Sequence, residues 1–257
     1  MENKIKACLI DLDGTLYVDN ECIPGAANTV QELRDRKILL RFVTNTTNKS
    51  RVSLQKKLQS VGVTADLQEI YSPSVAAAQF LKLRPETRCW VLTGGDAKED
   101  FHGINLTDQN PNVIVVGDLM KDFTFELLNR VFRRLLEGAE LIALQKNRYW
   151  KTSGELTMDA GPFIAALEYA SGREAKVVGK PSKEFFSLAL EGLGLKPEEV
   201  AMVGDDFEMD IGGAQRAGLK TILVQTGKFR RELFQQSLII PDALLNSIAE
   251  LPEWLDG

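Results

Sequence analysis

Carboxylates at close spacing are the first residues in the sequence that suggest chemistry. Asp11 and Asp13 are separated by one leucine, follow the apolar run of residues 5–10 and precede Gly14. In an extended segment, side chains two residues apart point to the same side. One carboxylate could therefore act as a nucleophile and the other as a proton donor. The alternative is an ordinary Asp-Gly turn, and this segment alone does not decide between the two.

A second acidic segment follows the apolar run of residues 200–203. Its acidic side chains lie within six residues of one another: Asp205, Asp206, Glu208 and Asp210. Their charges repel one another unless a cation is bound. Carboxylate oxygens suit Mg²⁺, which takes only one or two protein carboxylates and keeps several waters. The segment predicts a magnesium site, and the alternative is an acidic helix N-terminus stabilised by the helix dipole.

Two further polar segments also follow apolar runs. Thr44 and Asn45 come after residues 38–43 and offer a hydroxyl and an amide that suit phosphate oxygens, and the alternative is a helix N-cap with its turn. Lys180 comes after residues 176–178 and offers a point charge for clustered carboxylates and a phosphate. The alternative for Lys180 is a solvated lysine in a turn.

The elements that must position these residues alternate between short apolar runs and helices. The runs are residues 5–10, 38–43, 176–178, 200–203 and 221–224, and helices are predicted over 24–37, 50–61, 73–83, 182–191 and 211–217. This rhythm predicts a parallel sheet with helices on both faces. Ligands bind such sheets at the carboxyl ends of the strands, which is where the polar segments fall.

A middle section interrupts this rhythm with strands of its own. They are predicted at residues 89–92, 113–116 and 141–144, with helices over 125–137 and 162–171. We interpret the section as a domain inserted into a doubly wound core. The predicted domains are residues 1–80 and 174–257 for the two parts of the core and residues 81–173 for the inserted domain.

Composition and charge exclude several classes of function. With 44% hydrophobic and 26% charged residues the chain is typical of a globular protein. Its net charge of −5 disfavours nucleic acid and acidic membranes as partners. His102 is the only histidine, which argues against Ser-His-Asp catalysis and His-rich zinc sites.

The cysteines and the apolar segments bear on location. The three cysteines have no CxxC spacing, and their odd number leaves one unpaired, which favours a reducing compartment and predicts a cytoplasmic protein. No segment has the length and composition of a signal peptide or a membrane span.

The four motifs together, in the order DxDGT, Thr-Asn, Lys-Pro and GDDxxxD, resemble those of the haloacid dehalogenase-like (HAD) hydrolase superfamily. The long section between the second and third motifs resembles the C2-type cap of NagD-like phosphatases. Four stretches narrow the resemblance to the branch that includes phospholysine phosphohistidine inorganic pyrophosphate phosphatase: RFVTNTTNKSR, RYWKTSGELTMDAGPF, ALEYASGREAKVVGKPSKEFF and VGDDFEMDIGGAQRAG. The resemblance covers about residues 6–227. It implies an α/β fold, with a Rossmann-like doubly wound parallel-sheet core and an inserted α/β C2-type cap domain.

The resemblance also implies a reaction, which is hydrolysis of small phosphorylated molecules through an aspartyl-phosphate. Asp11 would be the nucleophile, and Asp13 would be the general acid and then the base. Mg²⁺ would be held by the carboxylates of Asp11 and Asp205 and the backbone carbonyl of Asp13. The remaining assignments are phosphoryl binding by Thr44, Asn45 and Lys180, pairing of Lys180 with Asp11, and supporting positions for Asp206 and Asp210.

Substrate and partners stay open on the sequence. Phosphomonoesters, pyrophosphate and N-phosphorylated amino acids are candidate substrates, and a homodimer formed through the cap is implied by the relatives. The alternatives are a haloacid dehalogenase, which uses the same nucleophile on carbon, and a non-catalytic interaction protein with this fold. The acid at Asp13 and the acidic cluster at Asp205 argue against the dehalogenase. Residues 145–150, QKNRYW, replace the Asn-x-Asp of NagD, so a nucleotide or sugar-phosphate preference does not carry over.

Overall fold

The computed structural model describes residues 5–152 and 155–257. Residues 1–4 of the predicted first domain and residues 153–154 of the stretch RYWKTSGELTMDAGPF lie outside the described residues. The strands are β1 (Ala7–Asp11), β2 (Tyr17–Val18), β3 (Glu21–Cys22), β4 (Leu39–Val43), β5 (Ile70–Tyr71), β6 (Cys89–Leu92), β7 (Val113–Val116), β8 (Glu140–Ala143), β9 (Tyr149–Thr152), β10 (Glu155–Met158), β11 (Lys176–Val177), β12 (Val200–Gly204), β13 (Lys220–Val224) and β14 (Ala243–Leu245).

The helices alternate with these strands. They are α1 (Ala26–Asp35), α2 (Arg51–Ser60), α3 (Pro73–Lys82), α4 (Phe125–Leu136), α5 (Ala160–Ser171), α6 (Lys183–Leu190), α7 (Gly213–Arg216), α8 (Arg231–Gln235) and α9 (Leu251–Asp256). A π-helical turn, Phe207–Gly212, leads into α7, and short 3₁₀ turns lie at Leu67–Glu69, Ala97–Phe101, Met120–Asp122, Pro197–Glu199 and Ile248–Glu250. Among the described residues, none of these helices is long and apolar enough to cross a membrane.

The described chain divides into two compact units. The first contains the residues up to Thr44, Leu54–Tyr71 and Lys180–Gly257, and the second contains Asn45–Ser53 and Ser72–Gly179. The domain boundaries given by the sequence, near residues 80 and 173, stay a prediction.

The first unit is built on a six-stranded sheet in the order β14-β13-β12-β1-β4-β5, in which every neighbouring pair is parallel. All five residues of β1 are buried, as expected for a central strand covered on both faces. Ile10 pairs with Val203 of β12 on one side and with Phe42 of β4 on the other. The residues that follow β1, β4 and β12 therefore leave the sheet at the same edge.

Helices of the first unit bury one side against this sheet. Val30 and Leu33 of α1 and Leu54 and Leu58 of α2 are buried in one cluster with Phe42 and the other core residues of the sheet. Spacings of three and four residues place such side chains on one face of a helix. Each fully buried side chain of this size contributes about 1.5–3 kcal/mol.

The second unit has its own parallel sheet, in the order β11-β8-β7-β6, and an antiparallel hairpin of β9 and β10. Val131 of α4 and Ile164 of α5 are buried together with Ile114 and Leu141 of this sheet. Helix α5 ends at Gly172, whose φ of 67° is the left-handed conformation predicted for a glycine at this position.

One strand lies in a different sheet from the one the sequence predicts. The run of residues 176–178 was expected to resume the core sheet, but Lys176 and Val177 of β11 pair with Ile142 and Ala143 of β8 in the second unit. The Val178 N–H donates to the carbonyl of Ala143 at 3.0 Å. The expectation of a strand is right and the expected sheet is wrong, because a run of two or three residues carries no information about its partner.

Candidate active site

Asp11 is the last residue of β1 and is only 6% exposed. Its Oδ1 accepts a hydrogen bond from Lys180 Nζ at 2.5 Å. Burial raises the pKa of the Asp11 carboxyl above its ordinary value, although the ammonium groups of Lys180 and Lys228 oppose that shift. The sequence thus places this carboxylate at the edge of a covered sheet, where little water competes for it.

Lys180 is a buried cation held between two carboxylates. Its Nζ lies 2.5 Å from Asp11 Oδ1 and 2.6 Å from Asp210 Oδ1, and its side chain is 3% exposed. Burial favours the neutral amine, but the two carboxylates outweigh burial and raise the pKa of Lys180. Lys180 is therefore charged and fixed, and the alternative of a solvated turn lysine is wrong.

The segment around Lys180 is positioned by close packing of two short helices. Ser182 caps α6 by accepting the Phe185 N–H. Pro181 lies against Gly213 of α7, where a Cβ would come within 3.0 Å of Pro181 Cα and 2.6 Å of the Phe186 ring. A glycine at this position lets α6 approach α7 and sets the direction from which Lys180 enters the site.

Asp205 and Asp210 follow β12 and are each 1% exposed. Burial, and then repulsion from Asp11 and Asp210, raises the pKa of Asp205 to about 8. Burial also raises the pKa of Asp210, to about 7, with repulsion from Asp11 adding to the shift and Lys180 opposing it. Asp210 has both oxygens engaged, since Oδ1 accepts from Lys180 and Oδ2 accepts the Asp206 N–H at 3.2 Å.

Asp206 stands apart from the other acids. Its carboxylate accepts the N–H groups of Glu208 and Met209 at 3.1 and 3.0 Å and so caps the π-helical turn. The helix-cap interpretation therefore describes Asp206, whereas the site interpretation describes Asp205 and Asp210.

Asp13 is exposed, unlike Asp11. The Tyr17 hydroxyl donates to Asp13 Oδ2 at 3.4 Å, and the Gly14 N–H donates to the Tyr17 carbonyl at 2.7 Å. Gly14 has a φ of +94°, and a Cβ there would lie 2.0 Å from Asp205 Oδ2. The turn therefore needs glycine both for its backbone conformation and for the approach of Asp205.

Thr44 lies beside Asp11 at the sheet edge. Val43 of β4 pairs with Asp11 in register, Thr44 is 2% exposed, and its N–H donates to the Tyr71 carbonyl at 3.2 Å. Asn45 is part of the second unit. The roles of Thr44 and Asn45 in phosphoryl binding stay predictions.

The acidic cluster fits a hard divalent cation. Asp11, Asp205 and Asp210 each place a carboxylate oxygen within 4.8 Å of the others, and all three residues are buried. Burial, and then the neighbouring negative charge, raises the pKa values of Asp205 and Asp210, and a bound cation would offset both effects. Oxygen donors of this kind suit Mg²⁺. Because both oxygens of Asp210 are already engaged, the carboxylates of Asp11 and Asp205 are the better ligands.

A polar loop at residues 225–228 was missed by the sequence reasoning. It follows β13, and its Lys228 N–H donates to Asp205 Oδ2 at 2.5 Å. The Thr226 hydroxyl donates to the Gly14 carbonyl at 2.5 Å. The signal was present, because Gln-Thr-Gly-Lys follows the apolar run of residues 221–224 and the strand-end rule applies there too.

The residues of the second unit that the sequence analysis singled out are mostly exposed. Tyr149 is 56% and Trp150 37% exposed, so neither fills a core. Lys146 pairs with Glu168 at 2.5 Å. His102 is exposed.

Comparison with known proteins places this chain among hydrolases. Residues 8–107 match the family described as haloacid dehalogenase-like hydrolase, and residues 177–251 match one described as HAD-hydrolase-like. The chain is 44% identical over 226 residues to human haloacid dehalogenase-like hydrolase domain-containing protein 2, covering 88% of this chain and 86% of that protein. It is 37% identical over 260 residues to human phospholysine phosphohistidine inorganic pyrophosphate phosphatase, covering 98% and 94%.

A solved structure agrees with these matches. The p-nitrophenyl phosphatase from Archaeoglobus fulgidus superposes with a TM-score of 0.91 at 29% identity, covering 98% of this chain and 99% of that one. The predicted fold and family resemblance are confirmed by this set of similarities.

Proposed function

The chain belongs to the haloacid dehalogenase-like hydrolase family and is a phosphatase within it, and we propose that it hydrolyses small phosphorylated molecules with Mg²⁺ through an aspartyl-phosphate. One observation carries the proposal. The Lys180 ammonium is buried between Asp11 and Asp210, at 2.5 and 2.6 Å, next to the buried carboxylate of Asp205. Asp11 is thus a nucleophile oriented by the Lys180 ammonium, and it lies beside a site that could hold a metal ion.

Asp11 performs the first chemical step. Lys180 holds its Oδ1, which fixes the carboxylate for in-line attack on phosphorus. A bond forms between an Asp11 oxygen and phosphorus while the bond to the leaving oxygen breaks. The exposed Asp13 donates a proton to that leaving oxygen.

The second step releases the product from Asp11. Asp13, now a carboxylate, takes a proton from a water molecule that attacks phosphorus, and the bond to Asp11 breaks. Asp13 can do both tasks because it is exposed at the turn, with the Tyr17 hydroxyl 3.4 Å from its Oδ2. The result is free phosphate and an unmodified Asp11.

Phosphoryl oxygens need donors throughout these steps. Thr44, Asn45 and Lys180 supply a hydroxyl, an amide and an ammonium, and one such preorganised donor is worth roughly 3–4 kcal/mol in a comparable site. The carboxylates of Asp11 and Asp205 and the backbone carbonyl of Asp13 would hold Mg²⁺, which would neutralise the repulsion between the nucleophile and the phosphate.

The substrates we propose are phosphomonoesters, with pyrophosphate and N-phosphorylated amino acids as further candidates. The second group is suggested by the name of the human relative that is 37% identical to this chain. The dehalogenase alternative is disfavoured, because displacement of a halide from carbon needs neither the acid at Asp13 nor a cation at Asp205.

The test is hydrolysis of p-nitrophenyl phosphate by the wild type with Mg²⁺, by the wild type with EDTA, and by Asp11→Asn. We expect Mg²⁺-dependent turnover that falls at least about a thousandfold in Asp11→Asn, since the nucleophile is lost. Asp108→Asn is the matched control, because the Asp108 side chain is 54% exposed and pairs with Arg130 at the surface. Full activity in a folded Asp11→Asn variant, or chloride release from a 2-chloro acid without metal, would contradict the proposal.

We also propose a cytoplasmic location and a homodimer formed through the cap. Cys8, Cys22 and Cys89 are free thiols, which suits the cytoplasm. The homodimer formed through the cap stays a prediction, and its test is the molar mass in solution.

A further inference from the structure

The loop of residues 225–228 is held beside the acidic cluster by three contacts, one with Asp205 and two with Gly14. The Thr226 hydroxyl donates to the Gly14 carbonyl, and the Lys228 N–H donates to Asp205 Oδ2, each at 2.5 Å. Gly227 lies directly against Gly14, since a Cβ on Gly227 would come within 2.4 Å of Gly14 Cα. Lys228 therefore starts from a backbone position that is set by the site itself.

The Lys228 side chain lies among carboxylates without pairing with one. An ion pair requires a distance of at most 4.0 Å between the ammonium nitrogen and a carboxylate oxygen. Among residues 5–152 and 155–257, no carboxylate oxygen lies that close to the Lys228 ammonium. The carboxylates that act electrostatically on its ammonium are those of Asp11, Asp205 and Asp206. The residue as a whole is exposed.

Lys180, in contrast, is committed to protein partners. It is 3% exposed and donates to both Asp11 and Asp210. An incoming phosphoryl group carries negative charge toward the buried carboxylates of Asp11, Asp205 and Asp210. A second cation with uncommitted donors would offset that repulsion, and an ammonium on a flexible stem adapts to tetrahedral oxygens.

We propose that Lys228 is a substrate-binding residue whose ammonium donates to the oxygens of the substrate's phosphoryl group. The proposal rests on the proposed phosphatase function. It distinguishes two cations at the site: Lys180 orients the nucleophile while contributing to phosphoryl binding from a fixed position, and Lys228 supplies further donors to the anion. The competing explanation is that Lys228 only neutralises Asp205 and Asp206 in the folded protein.

The experiment compares Lys228→Met, Lys228→Gln and Lys228→Arg with the wild type. Lys56→Met is the matched control, because Lys56 is an exposed lysine of α2 in the same unit. In Lys228→Met and Lys228→Gln we expect KM for p-nitrophenyl phosphate and the inhibition constant of inorganic phosphate to rise about tenfold, or 1.4 kcal/mol. We expect kcat to change less than KM, Lys228→Arg to recover most of the loss, and Lys56→Met to match the wild type. Unchanged KM and phosphate inhibition in a folded Lys228→Gln variant would overturn the proposal.

A binding measurement separates this proposal from the proposed function. Inorganic phosphate is added to the Mg²⁺-loaded protein, and the rise in melting temperature is recorded without any turnover. We expect the rise to be smaller in Lys228→Gln than in the wild type. A lower melting temperature with an undiminished phosphate response would make Lys228 structural and overturn the proposal. Absence of hydrolysis by the wild type would instead refute the phosphatase function.

Discussion

At the scale of single residues, the site depends on how buried charges compensate one another. Lys180 is stable as a buried cation because Asp11 and Asp210 both accept from it. Removing one partner of a buried pair costs about 3–5 kcal/mol, since the other charge is left uncompensated. Asp210 therefore holds the orienting lysine in place, which is more than the supporting position predicted for it.

Asp205 makes the stability of the metal-free protein depend on pH. Its pKa is raised by burial, and then by Asp11 and Asp210, from 3.8 to about 8. Between these values the folded protein binds a proton that the unfolded chain does not, so the contribution of Asp205 to stability is full below pH 4 and is lost as the pH rises toward 8. We expect the urea midpoint in EDTA to fall from pH 5 to pH 8, and to fall less in Asp205→Asn.

The exposed Asp108→Asn variant is the control for this prediction, and it should keep the slope of the wild type. A wild-type midpoint that rises or stays level between pH 5 and pH 8 would show that some other interaction compensates the charge of the buried carboxylates. Urea titrations followed by circular dichroism give these midpoints directly.

At the scale of elements, the edge of the parallel sheet explains why some residues that are distant in sequence could be expected to lie together. Asp11, Thr44 and Asp205 could be found because each follows an apolar run, and β1, β4 and β12 are adjacent and parallel. Asp210 and Asp206 could not be separated in the same way. In the π-helical turn of Phe207–Gly212, Asp210 accepts from Lys180, whereas Asp206 accepts from backbone N–H groups. Sequence spacing does not show such a turn.

The loop after β13 and the partner strand of β11 are two features that could not be predicted from the sequence. Lys228 follows a fifth apolar run, but a lysine in a Gly-containing loop has no distinctive spacing until its contact with Asp205 is seen. Strand β11 is two residues long, and the choice between two sheets is made by tertiary packing. These features depend on contacts between residues distant in sequence.

Gly14 links the DxDGT turn to the acidic cluster, and its substitution tests that link. In Gly14→Ala the new Cβ would lie 2.0 Å from Asp205 Oδ2 and the backbone would keep a φ of +94°. We expect kcat/KM to fall by about 100-fold, the scale expected when a catalytic group shifts by 1 Å. We also expect a higher Mg²⁺ concentration for half-maximal activity.

Gly62→Ala separates the collision from the backbone strain. Gly62 has a φ of +82° and nothing within 4 Å of its Cβ position. This variant carries only the strain of a left-handed residue, roughly 1–2 kcal/mol. It should lose thermal stability but keep its activity within about twofold, since the cost lies away from the site. Equal activity losses in both variants would mean that Asp205 is not displaced.

At the scale of the whole molecule, the acidic cluster lies entirely within one compact unit. Asp11, Asp205, Asp210 and the cations Lys180 and Lys228 all belong to the first unit, whereas Asn45 and the residues of the QKNRYW segment belong to the second. A cation that binds the folded site stabilises the structure that forms the site. Metal binding should therefore act on the two units unequally.

Hydrogen exchange followed by mass spectrometry measures this inequality. We expect Mg²⁺ to slow exchange in β1, β12 and residues 225–228 and to leave β6–β8 of the second unit nearly unchanged, because local stability differs between cooperative units. The protection should be larger at pH 8 than at pH 5, after each rate is corrected for its intrinsic pH dependence, since ligand carboxylates must lose their protons to bind metal. Asp205→Asn should remove it. Equal protection of both units would mean that they unfold as one cooperative body, and protection that persists in Asp205→Asn would place the metal at other carboxylates.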